Sequence, residues 1–289
     1  MNTGYYRFKL GDFDCIAVND FMNLYSASRL FTNAPQEHLE QVLCEHNLEP
    51  EKIPSPFTCL FVDTGRNKVL VDTGAGKGVH PQIGRYEGKL LKNLQAEGIQ
   101  AEDIDTVILT HGHPDHIGGV VDESGRPIFP NARYVMWEDE WDFWTAESAL
   151  ETERPLVQMV MQIARKSLLS IQDQLELIDQ EMEIVPGIYA VEAKGHTPGH
   201  MAVAVSSGRE ELLYTSDTVL HPIHLEHSGW HTDFYDHDLE QAAATKQRLF
   251  DRAAAKKTLV LAFHFYPFPS LGHVLTKGEG WQWQPVETE

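Results

Sequence analysis

The sequence predicts an α/β fold, an αββα sandwich with two central sheets and helices on their outer faces, because β-patterned and helical stretches alternate in two successive halves. No Ser/Gly/Pro-rich linker, low-complexity tract or tandem repeat divides the chain, so residues 1–289 are expected to form one domain. A hydrophobic content of 42% over 289 residues is enough to bury a large core without disulfide staples.

The first half opens as a hairpin, with strands at Tyr6 to Leu10 and Cys15 to Asn19 around a turn at Gly11-Asp12. With a helical stretch from Pro35 to His46, this makes residues 1–50 an N-terminal extension expected to line a substrate pocket. Strands follow at Phe57 to Val62 and Val69 to Val71, separated by the polar turn Thr64-Gly65-Arg66-Asn67. Between Tyr86 and Glu97, Leu90, Leu91 and Leu94 fall on one helical face, and the β-branched run Thr106 to Thr110 reads as a buried strand. Arg133 to Met136 is a further strand, after which residues 137–180 read as a helical insertion. Its acidic, aromatic start, Trp137 to Trp144, has helical composition. After Pro155, Val157, Val160, Ala164, Leu168, Ile171, Leu175 and Ile178 recur every three or four residues, which is the stripe of an amphipathic helix. Packing on the core is the expected role of that stripe, with a lid or a homodimer contact as the alternative. The second half has strand patterns at Ile188 to Glu192, Met201 to Val205, Leu212 to Thr215 and Leu259 to Phe263, and a helix between Asp238 and Ala254.

Charge narrows the partners. Lys and Arg number 23 against 43 Asp and Glu, a formal net charge of −20, which works against binding nucleic acid or an anionic membrane surface. No apolar run approaches the ~18 residues needed to cross a bilayer, and residues 1–15 lack a basic segment followed by an apolar one. Cys15, Cys44 and Cys59 are odd in number and form no C-x-x-C pair, so they read as buried thiols of a cytoplasmic protein.

The fifteen histidines are the outlying number, and the most telling of them are grouped. Thr110-His111-Gly112-His113-Pro114-Asp115-His116 follows a strand and puts four imidazole or carboxylate donors within six residues. These are the donors zinc and similar divalent metals prefer, and a strand-end loop can splay them around two ions where a helix could not. Gly112 is read as permitting an unusual backbone angle, while Pro114 fixes one. An exposed His-rich loop is the alternative, but it leaves later features unexplained. Gly195-His196-Thr197-Pro198-Gly199-His200, Tyr214-Thr215-Ser216-Asp217-Thr218 and Phe263-His264-Phe265 each set a donor at the end of a β-rich stretch. If the strands concerned run in parallel, those ends meet at one sheet edge. Without a metal, an apolar strand ending in a buried charge would cost several kcal/mol by order of magnitude.

In this order, the H-x-H-x-D-H run, G-H-T-P-G-H, a later Asp and a final His resemble the metallo-β-lactamase superfamily, over about Phe57 to Val274. Leu213-Tyr214-Thr215-Ser216-Asp217 and His264-Phe265-Tyr266-Pro267-Phe268-Pro269 are most similar to its N-acyl homoserine lactonase and methyl parathion hydrolase branch, as is the turn Val71-Asp72-Thr73-Gly74. The resemblance implies that His111, His113 and His196 hold one divalent metal, that Asp115, His116 and His264 hold a second, and that Asp217 bridges them. Asp115 and Asp217 are then the catalytic carboxylates. Asp72 would orient a ligand histidine from behind, and His200 would support the turn Gly195 to Gly199. The metals implied are two zinc ions, with Mn, Fe or Co as alternatives, sharing a hydroxide that attacks an ester carbonyl.

Departures from the pattern narrow the reaction. Several lactonases carry a Tyr three residues after the bridging Asp, where this chain has Leu220, with His221 or Tyr266 as stand-ins. His113 stands where di-iron flavoprotein relatives carry Glu, and Asp217 where many β-lactamases carry Cys or Ser. Glyoxalase-type thioesterases carry a basic region after the last ligand that is missing here, and the charge disfavours nuclease relatives. Leu220, His221, Phe265, Tyr266 and Phe268, with Trp230 and Met22 to Phe31, are the candidate pocket residues, Phe265, Tyr266 and Phe268 reading equally well as core packing. His38, His46, His80, His224, His227, His231, His237 and His273 read as surface or hydrogen-bonded histidines outside the site. The expected substrate is a neutral, apolar small molecule: a lactone first, an organophosphate triester second. A metal-stabilised small-molecule sensor is the non-enzyme alternative.

Overall fold

The computed structural model describes residues 4–80, 84–147 and 155–288. Strands β1 (Tyr5–Leu10), β2 (Phe13–Tyr25), β3 (Ile53–Asp63) and β4 (Lys68–Val71) form an antiparallel run. After a short hairpin, β5 (Lys77–His80) and β6 (Gly84–Glu87), the first sheet continues through β7 (Thr106–Ile108), β8 (Arg133–Trp137) and β9 (Leu175–Ile178), all parallel to β4. The second sheet follows chain order: β10 (Met182–Val185), β11 (Ile188–Glu192), β12 (Met201–Ser207), β13 (Glu210–Ser216), β14 (Leu259–Ala262), β15 (Leu271–Lys277) and β16 (Gly280–Pro285). Its neighbours are antiparallel except β13 and β14.

The helices are α1 (Ala27–Leu30), α2 (Gln36–Glu45), α3 (Leu90–Ala96), α4 (Pro114–Ile117), α5 (Glu138–Thr145), α6 (Pro155–Ser170), α7 (Ile223–Glu226) and α8 (Leu239–Lys256). Helix α3 packs on β2 and α5 on β8 and β9, while α8 lies against the second sheet at β15. The main core, which includes Val18, Leu60, Val107, Tyr134, Val203 and Leu261, draws on both sheets. A second cluster joins Leu249, Phe250 and Ala253 of α8 to Val260 and Trp281, and a third packs α1 and α2 against Leu220, Ile223 and Trp230. This is the αββα sandwich expected from the alternation of elements. No helix among the described residues is long and apolar enough to cross a membrane.

Three expectations are corrected. The amphipathic stripe stops at Ser170, and Leu175 and Ile178 belong to β9, which pairs in parallel with β8. A three-residue 3-10 turn, Gln172–Gln174, separates them, and the Gln174 side chain donates to the carbonyls of Pro130 and Ala132, fixing the chain beside β8. Residues 148–154 of the expected insertion lie outside the described residues. Strand β2 runs to Tyr25 rather than Asn19, past a register shift between Asn19 and Phe21, where Asp20 is buried to accept backbone N–H bonds from Ala75 and Leu90. The free thiols of Cys15 and Cys59 are buried, but that of Cys44 is exposed on α2.

Candidate metal centre

The site forms where strand ends meet. Strand β12 reverses twice between its neighbours, so β11, β13 and β14 run the same way and leave Gly195–His200, Asp217 and His264 at one edge. From the first sheet, the segment after β7 carries Thr110 to His116 to the same place, and Met201 N–H donates to the Thr110 carbonyl across the sheets at 3.0 Å. Two non-glycine residues flanking the site sit at positive φ, Asp72 at 60° and Ser216 at 47°. Such strain collects where neighbouring structure over-determines a side chain's position.

Two groups of donors result, His111, His113, His196 and Asp217 in one and Asp115, His116 and His264 in the other, with the ligand atoms of each group within 4.8 Å of one another. In the first, His113 Nδ1 lies 2.9 Å from His111 Nε2 and 3.0 Å from His196 Nε2. In the second, Asp115 Oδ2 lies 3.5 Å from His264 Nε2 and 4.0 Å from His116 Nε2. Asp217 reaches both: Oδ2 is 3.4 Å from His196 Nε2 and 3.4 Å from His264 Nε2, and Oδ1 is 3.2 Å from His116 Nε2.

An outer layer of partners fixes each ring. Asp72 Oδ2 accepts from His116 Nδ1 at 2.8 Å, while its carboxylate also accepts from Thr110 and from the Tyr214 hydroxyl. His196 Nδ1 bonds Asp236 Oδ1 at 2.9 Å, and His264 Nδ1 bonds Ser55 Oγ at 2.9 Å. His200 donates from Nδ1 to the Ala193 carbonyl, so its Nε2 can accept the Asp217 N–H at 3.2 Å. Burial, then the nearby His196, pushes His200 down to about 3, which keeps it neutral for that task. His200 therefore holds the backbone of Asp217 rather than the turn alone.

Burial and the neighbouring imidazoles also hold His111 and His113 well below the usual histidine range, so both are neutral, the form that ligates a metal. At Asp217, burial opposes the charge, but His116 and His264 outweigh it and hold the carboxyl well below its usual range. His116 Nε2 and Asp217 Oδ1 are buried with no hydrogen-bond partner, a cost of about 1–3 kcal/mol for each group left so. Crowded lone pairs, a deprotonated carboxylate and unpaired buried atoms all aimed inward fit cations at the centre. The donor set, imidazole and carboxylate, is that of zinc and its neighbours.

A family model described as Metallo-beta-lactamase superfamily matches residues 54–263. The chain belongs to this superfamily. An N-acyl homoserine lactonase of Bacillus sp is 24% identical over 230 residues, covering 74% of this chain and 83% of the relative. Among solved structures, AidC, described as a dizinc quorum-quenching lactonase in complex with a product, superposes with a TM-score of 0.89 at 29% identity, covering 99% of this chain and 98% of its own. AbOPH, described as a hydrolase in the beta lactamase superfamily, gives 0.88 at 26% identity, covering 100% and 99%. This superfamily member is thus a metal-binding hydrolase whose relatives include lactonases.

A cavity of about 990 Å³ opens over the two donor groups. Its walls come from the end of β2 and the segment after it (Phe21, Leu24, Tyr25, Arg29), from α5 and α6 (Phe143, Trp144, Val157, Val160) and from Phe234 and Tyr235. Asn23, Leu24, Tyr25, Ser26 and Arg29 of the N-terminal segment line it, and Leu220 borders it. His221, Phe265, Tyr266 and Phe268 do not. His221 is buried edge-on to Phe31, Phe265 packs against Trp283 in the second cluster, Tyr266 faces solvent at 46% exposure, and Phe268 lies on the main core. Closeness in sequence to His264 and Asp217 does not direct these side chains into the pocket. Trp230 borders a separate, smaller cavity of about 80 Å³. Gly112 is not at positive φ; its Cβ would collide with the Trp144 indole, so close approach requires the glycine. Among the remaining histidines, buried His224 bonds the Leu30 carbonyl, and His38 and His227 pack on Trp230. Sequence reasoning missed Asp236, Ser55 and Tyr235, whereas Tyr25 falls within the Met22 to Phe31 segment expected at the pocket.

Proposed function

We propose that this chain opens a lactone ring, of the N-acyl homoserine lactone type, or cleaves a comparable neutral ester, with two metal ions, zinc first among them. The observation that carries the reading is Asp217, a buried carboxylate within 3.2 to 3.4 Å of histidines from both donor groups at the base of an apolar-walled cavity. His111, His113 and His196 would hold one ion, Asp115, His116 and His264 the other, and Asp217 both. When bound, the ions acidify water and polarise the carbonyl oxygen. The chain's own groups do the rest. Asp115 lines the cavity and is the more exposed of the two carboxylates, 21% against 3% for Asp217. It is the group to take the attacking water's proton and return it to the departing alkoxide as the C–O bond breaks.

Leu220 offers no hydroxyl, but two phenols in the cavity do. The ring of Tyr25 meets His264 edge-on at 6.0 Å and Tyr235 at 5.9 Å. Each phenol carries a proton that its hydroxyl can donate to a substrate oxygen, and Asn23 and Arg29 line the same wall. A second reading, an aryl phosphotriester, draws support from Phe21, Phe57, Phe143 and Trp144 in the wall, which suit an aromatic leaving group.

The test is a panel of N-acyl homoserine lactones, aryl esters and phosphotriesters, assayed on metal-stripped and zinc-restored protein with metal analysis. Lactone turnover that disappears with the metal and returns with it is the expected result. Turnover of triesters alone would favour the second reading. Failure on all three classes with two zinc equivalents bound would overturn the hydrolytic reading in favour of a metal-stabilised sensor.

A further inference from the structure

Glu140 of α5 is wholly buried, and the ligand set does not account for its charge. Its Oε1 accepts from Gly112 N–H at 2.8 Å and from the Trp144 indole N–H; its Oε2 accepts from Thr197 Oγ at 2.7 Å and from Gly199 N–H at 2.8 Å. Gly112 lies between His111 and His113, and Thr197 and Gly199 lie between His196 and His200. One side chain thus ties together the two loops that supply all three histidines of the first donor group and the histidine that holds Asp217.

Burial pushes the Glu140 carboxyl up, and the four donors oppose that rise. All four are neutral, so their hydrogen bonds must offset the desolvation of a buried charge. A glutamine would close the same gap but presents one acceptor oxygen, leaving two donors facing an NH2 group. Only a carboxylate can accept all four. The contacts are also close, because a Cβ on Gly112 would strike Trp144 and one on Gly199 would strike Glu140 itself. The Trp144 ring meets His113 edge-on at 5.3 Å and lines the cavity, so ligand loops and cavity wall converge on this carboxylate.

We propose that Glu140 is a positioning residue for the His111, His113, His196 and Asp217 metal group. It fixes the separation of the two loops and sets a negative charge behind the imidazoles, and so governs the affinity of that group while leaving the Asp115, His116 and His264 group little changed. The proposal rests on the two-metal reading above.

The experiment is chelator competition on the zinc holoenzyme, followed by metal analysis, with the visible spectrum of the cobalt-substituted protein as a second readout. In Glu140→Gln, one metal equivalent should leave about 10–100 times more readily than in the unmodified protein while the other is retained, and kcat should fall with little change in KM. The cobalt bands of one site should shift. Thr197→Val and Trp144→Phe each remove one donor and should loosen the same equivalent by a smaller factor. Unchanged affinities in Glu140→Gln, or equal loosening of both equivalents, would overturn the proposal. If Glu140→Gln does not fold, the two single-donor variants decide: selective loosening supports the role and unchanged affinity sinks it. Unmodified protein that holds fewer than two equivalents would instead refute the two-metal reading.

Discussion

Asp217 Oδ2 stands 3.4 Å from both His196 and His264, so this one side chain bears on both donor groups. Asp217→Ala should lower the zinc content per chain and abolish turnover; two retained equivalents with full activity would refute the bridging role. Asp236 acts one layer out, through His196 Nδ1, and Asp236→Ala should cost about 10–100-fold in metal affinity or activity, read by chelator competition. At the cavity, Tyr25→Phe should lower kcat on lactones with metal content unchanged, and Leu220→Tyr should raise lactone turnover without raising triester turnover. An unchanged ratio in the latter would show that position 220 does not bear on the choice. The seven donors were legible in the sequence through motifs that resemble the superfamily's, and His and Asp at the ends of apolar strands are costly unless a cation meets them. Glu140, Asp236 and Ser55 were not, since their tasks arise from tertiary contact with no fixed spacing to the residues they hold. Phe265 illustrates the converse: adjacent to His264 in sequence, it points into the cluster beneath Trp283.

Helix α8 shows what an element contributes. Its Leu249, Phe250 and Ala253 fill the space against the second sheet, and Asp238 caps its N-terminus by accepting from Gln241 N–H. The same entry fixes the site, because His237 N–H and Asp238 N–H donate to the carbonyls of His196 and Gly195. Phe250→Ala should destabilise the fold by about 3–5 kcal/mol in urea titration, the usual cost of emptying a packed aromatic site. Lys246, also on α8, is buried and donates to the carbonyls of Ser228 and Trp230. Burial pushes its amine down to about 8. The unfolded chain, with an ordinary lysine, therefore binds more protons than the folded one between about pH 8 and 10.4, and this group's contribution to stability rises with pH across that window. Relative to Lys246→Met, the unmodified protein should gain stability from pH 8 to 10; parallel curves would refute the shift. Helix α8 lies where the sequence placed a helix, between Asp238 and Ala254, and a 3.6-residue period marked α6. The same period misread β9, where Leu175 and Ile178 fall in helical step although parallel pairing with β8 sets their conformation.

Across the whole molecule, the donors come from both sheets. His111, His113, Asp115 and His116 follow β7 of the first, while His196, Asp217 and His264 leave the second. Ions held between them would join the two layers, which otherwise meet through the apolar core and a few hydrogen bonds such as Thr110 Oγ to Ser216 Oγ at 2.8 Å. Since the unfolded chain lacks a formed site, ion binding free energy becomes folding free energy, about 4 kcal/mol for each ion present at a thousand times its dissociation constant. Two divalent ions also bring four positive charges to a chain whose net charge is −20. Metal removal should therefore lower Tm by several degrees, and zinc should restore it. Stripped protein, which has lost the cations that offset its self-repulsion, should regain more Tm on addition of salt than the loaded form does. In Asp217→Ala, chelation should lower Tm much less, because the shared ligand is already missing. Equal melting temperatures for stripped and loaded protein would mean that the donor groups are held in place by their protein contacts alone, and that the ions serve chemistry without serving the fold.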